Sequence, residues 1–145
     1  MKEKFNKSCL DGDIDPEDEK LICKYVKENF NSDFVFLTHY LRKKRLVYTM
    51  PYGEYETHSF YLLFRGVEIT SGRQRIHKYN DLIENIKYKE LNPENYESYT
   101  SNFKYGMPLH GGLAIGLERI TALLLGIDNV RETVLIPRDR TRLAP

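Results

Sequence analysis

The chain has 145 residues, with 22 Lys and Arg against 21 Asp and Glu and a formal net charge of +1. Near-neutrality removes any global pull toward nucleic acid or an anionic membrane and leaves only local basic patches for such contacts. A hydrophobic content of 41% and a mean hydropathy of −0.56 fit a globular chain and exclude a disordered one.

No apolar stretch approaches the roughly 18 residues of a membrane span, and the start MKEKFNKS lacks the apolar centre of a secretory signal, so a cytoplasmic setting without a membrane is expected. Two cysteines, Cys9 and Cys23, make neither a disulfide framework nor a metal cluster. At this length one domain is expected: a polar tail over 1–10, then a folded part over 11–145.

In chain order, Asp15-Pro16-Glu17-Asp18-Glu19 writes a helix start: an acceptor at the cap, proline in the first turn, acids at the positive end. Leu21, Ile22, Tyr25, Val26 and Phe30 continue it as an amphipathic stripe, and Asn31-Ser32 ends it. Residues 33–38 are a short run of β-type residues, expected as a buried strand. A basic loop follows over 41–45, then a second expected strand over 46–50 and a turn at Pro51-Tyr52-Gly53. Residues 57–75 predict two strands that meet or bulge at Gly66 and Gly72. Short helices are expected over 81–89 and 93–103, the second capped by Asn92 with Pro93 behind it. A loop over 105–112 leads to a strand over 113–115, an apolar helix over 117–125 closed by Gly126, and a last buried strand over 134–136. Interspersed helices and strands with hairpin-length connections predict an α+β fold with a mostly antiparallel sheet.

Two segments could carry chemistry. In His110-Gly111-Gly112-Leu113-Ala114-Ile115-Gly116-Leu117-Glu118-Arg119, glycines allow close backbone approach to a bulky ligand. Arg119 then offers a planar fork to phosphate oxygens. The plainer reading is a glycine-rich turn feeding a core helix. In the segment from Arg65 to His77, an acid lies among three arginines inside a strand pattern, which is costly unless the charges are paired. Glu68 could hold Mg²⁺ with Ser71 while Arg75 clamps a carboxylate, or the segment could be a solvated charged edge. Residues 68 and 71 point to opposite faces of a regular strand, so a shared ion requires a bulge near Gly72. His77 and His110 are candidate acid–base groups or structural histidines, and the loop over 42–45 could touch RNA phosphates or simply be solvated.

Taken together, these segments resemble the C-terminal part of a class II aminoacyl-tRNA synthetase catalytic domain, of the aspartyl type found in archaea and eukaryotes. The residues that carry the likeness are Asp15-Pro16-Glu17, Ser32-Asp33-Phe34-Val35-Phe36, Arg65 to Gly72 and Gln74-Arg75-Ile76-His77. Lys104-Tyr105-Gly106-Met107-Pro108, Gly111 to Arg119, Asp128 to Glu132 and Pro137-Arg138-Asp139 extend it, in order and with family-like spacing.

The resemblance implies a partial class II antiparallel sheet flanked by helices, with ATP, Mg²⁺, aspartate and tRNA as ligands. It assigns ATP to Glu68, Ile69, Gly116 and Arg119, with Arg119 gripping the γ-phosphate, and Mg²⁺ to Glu68 and Ser71. It assigns the amino acid to Ser71, Gln74, Arg75, His110, Gly111 and Gly112, with Arg75 on the aspartate side chain. The resembling enzymes join an amino acid to ATP and pass it to tRNA, mainly by positioning and charge neutralisation.

Two departures qualify this. Tyr61 stands where the family usually has an acid that helps hold Mg²⁺, and a phenol is a poor Mg²⁺ ligand. A full member is about three times longer, and the family's first two class motifs, including the arginine for the α-phosphate, have no counterpart here. The isolated chain is therefore expected to be inactive, and to self-associate or bind a chain that completes its sheet. A non-catalytic paralogue that binds nucleotide, amino acid or a partner protein is the alternative, and an amino-acid-amidating relative ranks behind it.

Overall fold

A computed structural model describes residues 14–138 and 140–141. The expected polar tail over 1–10 lies outside the described residues. The architecture is α+β, with helices and an antiparallel sheet, as the pattern of elements predicts. Helices α1 (Pro16–Phe30), α2 (Tyr79–Tyr88), α3 (Glu97–Thr100) and α4 (Leu117–Leu125) alternate with strands β1 (Phe34–Thr38), β2 (Pro51–Tyr52), β3 (Glu56–Thr57), β4 (Ser59–Phe64), β5 (Val67–Arg75) and β6 (His110–Ile115). Four strands form one sheet in the order β1-β4-β5-β6, and β2 pairs with β3 in a small antiparallel ribbon. The chain divides into two compact units. One holds Leu37–Tyr61 and Ser71–Leu113; the other holds Asp15–Phe36, Leu62–Thr70 and the chain from Ala114 onward.

The core of the first unit is built by Ile76, Leu82, Ile86 and Phe103, all buried, with Val47, Tyr48, Met50, Tyr79, Tyr96, Tyr99 and Met107 packed against them. This explains a correction. Residues 46–50 form no strand: Thr49 N–H turns back to the Leu46 carbonyl, and Thr49 makes only an isolated bridge to Arg75. The apolar run there reflects Val47, Tyr48 and Met50 packing against the core, while main-chain pairing is limited to the bonds of Tyr48 and Met50 with Ile76, Gln74 and His58 around that bridge. The turn after Pro51-Tyr52 places Gly53 at φ 63°, and β2 returns as β3 with Pro51 opposite Thr57. Helix α2 starts two residues before its expected bound. The helix expected over 93–103 is instead a 3₁₀ turn at Pro93–Tyr96, the single α turn α3 and a 3₁₀ turn at Ser101–Tyr105. Asn92 caps the first of these, accepting from Glu94 N–H at 3.1 Å.

In the second unit, the start of α1 is a reciprocal capping box. Asp18 N–H donates to Asp15 Oδ1 at 2.8 Å, and Asp15 N–H donates to Asp18 Oδ2 at 3.3 Å. Asn31 ends the helix in the left-handed region at φ 50°. Strand β1 is not buried as expected: Phe34 stacks on Phe64 with ring centres 4.5 Å apart, yet Phe34 and Phe36 remain largely exposed. Helix α4 ends at Gly126, φ 70°, as expected. It is not a core helix, because only Ala122 is buried and Leu117, Leu124 and Leu125 face outward. No strand forms over 134–136, where Leu135 is 97% exposed; a 3₁₀ turn at Val130–Thr133 precedes it instead. Both misreadings share a cause: apolar sequence signals burial, and nothing among the described residues covers these side chains.

Candidate functional site

Strand β5 runs unbroken from Val67 to Arg75 and carries five of the expected site residues. No break occurs at Gly72; the chain reverses earlier, where Arg65 and Gly66 take φ 49° and 87°. Glu68 and Ser71 lie three apart on this strand, positions that a regular pleat sets on opposite faces.

In the second unit, β6 passes straight into α4. Gly116 N–H donates to the Ile69 carbonyl at 2.9 Å, so the last rung of sheet pairing is also the cap of the helix. One turn on, Arg119 Nη1 donates to the Glu68 carbonyl at 2.6 Å. Four expected ATP-site residues, Glu68, Ile69, Gly116 and Arg119, are therefore joined by two hydrogen bonds. This fixes the stem of Arg119 and leaves the rest of its fork for an anion.

Glu19 belongs to this cluster and the sequence reading missed it. Burial and the neighbouring Glu68 charge raise its carboxyl above the ordinary range, while Arg119 opposes them. Nothing in the pattern of Glu19 distinguishes it from the other acids in the first turn of α1.

In the first unit, the Arg75 guanidinium lies 4.7 Å from the centre of the Tyr48 ring, and Arg73 stands farther off at 5.8 Å. Arg75 Nη2 is 3.9 Å from where a Cβ on Gly112 would be, and a Cβ on Gly111 would come within 3.1 Å of the Arg73 carbonyl oxygen. Glycine at 111 lets β6 approach the β5 backbone, and glycine at 112 keeps the space before Arg75 open. His110 Nδ1 is bonded locally to the Pro108 carbonyl at 2.9 Å. Gln74 is held by main-chain bonds to His58 and Met50, with an exposed side chain. Ser71 is half-buried. His77 Nδ1 is buried with no hydrogen-bond partner among the described residues, so it is not posed as a proton shuttle.

Mg²⁺ sets a definite demand on its donors. That ion takes six oxygens, retains several waters, and is commonly held by one or two carboxylates plus substrate phosphates. Glu68, with the Glu19 carboxylate close enough to feel its charge, fits so sparse a protein contribution. No group of three or more His, Cys, Asp or Glu side chains that could hold a metal occurs among the described residues. Tyr61 adds no ligand: its hydroxyl accepts from Arg45 Nη1, and the Arg45 guanidinium stacks over its ring.

This α+β scaffold, with arginine anchored at a glycine-opened strand-to-helix junction, is the arrangement of the class II synthetase fold. Residues 1–140 match the family described as tRNA synthetases class II (D, K and N), and the chain belongs to that family. It is 53% identical over 92% of its length to the aspartate–tRNA(Asp/Asn) ligase of Thermus thermophilus, covering 32% of that protein. It is 52% identical over 92% of its length to the aspartate–tRNA(Asp) ligase of Picrophilus torridus, covering 30% of it. Among solved structures, the aspartyl-tRNA synthetase from Entamoeba histolytica superposes with a TM-score of 0.88 and 37% identity, over 97% of this chain and 30% of that one. An asparaginyl-tRNA synthetase from the same organism, in complex with asparaginyl-adenylate, gives 0.79 and 31%, over 99% of this chain and 33% of that one. The chain thus spans about a third of the length of the curated relatives it matches.

Proposed function

We propose that residues 11–145 form the C-terminal part of a catalytic domain that activates aspartate with ATP and transfers it to tRNA. The observation that carries this reading is the Arg119 fork tied to the Glu68 carbonyl beside the Gly116 junction. In the proposed reaction an aspartate carboxylate oxygen attacks the α-phosphorus of ATP, the bond to the bridging oxygen breaks, and pyrophosphate leaves with that electron pair. A hydroxyl of the terminal tRNA ribose then attacks the acyl carbon and AMP departs. Arg119 holds the γ-phosphate, and Ile69 and Gly116 frame the nucleotide. Arg75, flattened over Tyr48, receives the aspartate side chain, with Ser71, Gln74, His110, Gly111 and Gly112 around the amino acid. Mg²⁺ on Glu68, with Ser71 reaching it only across a local bulge in β5, would neutralise phosphate charge, with a weaker grip than an acid at position 61 would provide.

The aspartate branch is preferred to the asparagine branch because curated aspartate–tRNA ligases stand at 43–53% identity. A cytoplasmic setting is part of this proposal and rests on the family; no helix among the described residues is long and apolar enough to cross a membrane.

A second reading, a non-catalytic paralogue, is favoured by one observation: Tyr61 is committed to Arg45 and offers a metal nothing. Under either reading, β1 and β6 are the outer strands of their sheet and α4 exposes three leucines, so a polypeptide that completes the sheet, or a second copy, is the expected partner.

Aspartate-dependent ATP–pyrophosphate exchange decides between the two. The chain alone, and the chain mixed with the remaining two-thirds of a relative such as the Thermus thermophilus ligase, are assayed in parallel. Exchange only in the mixture supports the catalytic reading. Absence of exchange in a mixture shown by sedimentation to form a complex supports the paralogue.

A further inference from the structure

The basic loop over 41–45 has no part in the proposed reaction, yet it borders a cavity of about 820 Å³ contained in the first unit. This is the size of a small-molecule site. Tyr48, Tyr88, Tyr96 and Tyr99 line it, together with the apolar Leu46, Val47 and Leu91. Lys43, Arg45 and Lys89 supply positive charge against Glu90 alone, and no salt bridge among the described residues neutralises the three cations.

The wall is preorganised. Arg42 Nε donates to Asn85 Oδ1 at 2.8 Å, and Asn85 in turn donates to the Val47 carbonyl, fastening the loop to α2. Lys89 Nζ donates to the carbonyls of Arg42 and Lys43 at 2.6 and 3.1 Å. Arg42 stacks on Tyr88 at 3.9 Å. Arg45 stacks on Tyr40 and Tyr61 at 3.9 and 4.3 Å, and its Nε is buried with no hydrogen-bond partner among the described residues. Burial and the neighbouring Arg42 charge hold the Lys89 ammonium below its ordinary range, as expected of a cation short of an anion.

Tyrosine faces stack planar rings, and loop cations attract phosphate. A lipid or a purely apolar peptide would leave the cations uncompensated, and a bare anion would leave the tyrosines unused. The geometry points to a nucleotide unit as the occupant, its base among the tyrosines and its phosphate at Lys43 and Lys89. The unit is either a free nucleotide or one nucleotide of a single-stranded RNA, and this cavity is separate from the residues assigned to ATP above.

Calorimetry on the full 145-residue chain tests this with AMP, adenosine, inorganic phosphate and a single-stranded tetra-adenylate. AMP is expected to bind, with adenosine and inorganic phosphate each about tenfold weaker or more. Lys43→Glu, on an exposed position, and Tyr96→Ala should each weaken AMP about tenfold. Tetra-adenylate binding about tenfold more tightly than AMP assigns the cavity to an RNA strand; equal affinity assigns it to a free nucleotide. No heat with either AMP or tetra-adenylate overturns the proposal. So does AMP binding that survives both Lys43→Glu and Tyr96→Ala, a result that would leave the ATP assignment standing.

Discussion

Arg119 donates through Nη1 to the main-chain carbonyl of Glu68, 51 residues earlier in the sequence. A guanidinium bonded to backbone oxygen has its orientation fixed and spends only one of its donors, which suits a group awaiting phosphate. In the completed enzyme, Arg119→Ala is expected to lower pyrophosphate exchange by about 10²- to 10³-fold. Arg119→Lys should recover little, since an ammonium cannot serve the carbonyl and a phosphate in one plane. Exchange rates for the three proteins, each with its melting temperature, check this; a loss matched by unfolding would refute a role in binding.

Arg75 faces the open space before Gly112 with its plane over Tyr48. Arg75→Lys keeps the charge and loses both the fork and the stack. The KM for aspartate in the completed enzyme should rise about tenfold or more, while the KM for ATP stays within about twofold. Equal effects on both substrates would contradict the assignment.

Gly72 is confined by its neighbours. A Cβ there would overlap Cε1 and Cζ of Phe60 and come within 3.0 Å of Leu113 Cβ. Gly72→Ala should therefore destabilise the fold by about 1–3 kcal/mol. Shortening the ring in Phe60→Leu should return part of that loss, so urea denaturation of the two single variants and the double variant should show non-additivity.

Glu19 gives a pH dependence with a definite sign. Its folded pKa is raised, first by burial and then by Glu68, so the folded protein holds this proton more tightly than the unfolded chain does. The resulting stability is fully present below the ordinary carboxylate value and is lost as pH rises through the folded pKa. Glu19→Gln removes that loss. The variant should exceed the parent in denaturant midpoint at neutral pH, with the difference closing on acidification below pH 4.5, the ordinary value. A difference independent of pH would assign the effect to packing.

Local chemistry was legible in the residues. The Asp15 cap, the Asn31 and Gly126 stops, the Asn92 cap and the β4–β5 reversal are set by side chains and backbone freedom within a few positions, and they form as expected. Glu68, Ile69, Gly116 and Arg119 were singled out by the family resemblance, and two hydrogen bonds join them in the fold. What tertiary structure alone decided is where apolar segments go. Val47, Tyr48 and Met50 look like strand residues but serve as core plugs, whereas Phe36, Leu117 and Leu135 look like core and face outward. Periodicity reports that a side chain is apolar but not what covers it. The pairing of Arg119 with Glu68, the approach of Glu19 and the stacking of Arg75 on Tyr48 join distant positions, so they arise only when the strands and helices have packed.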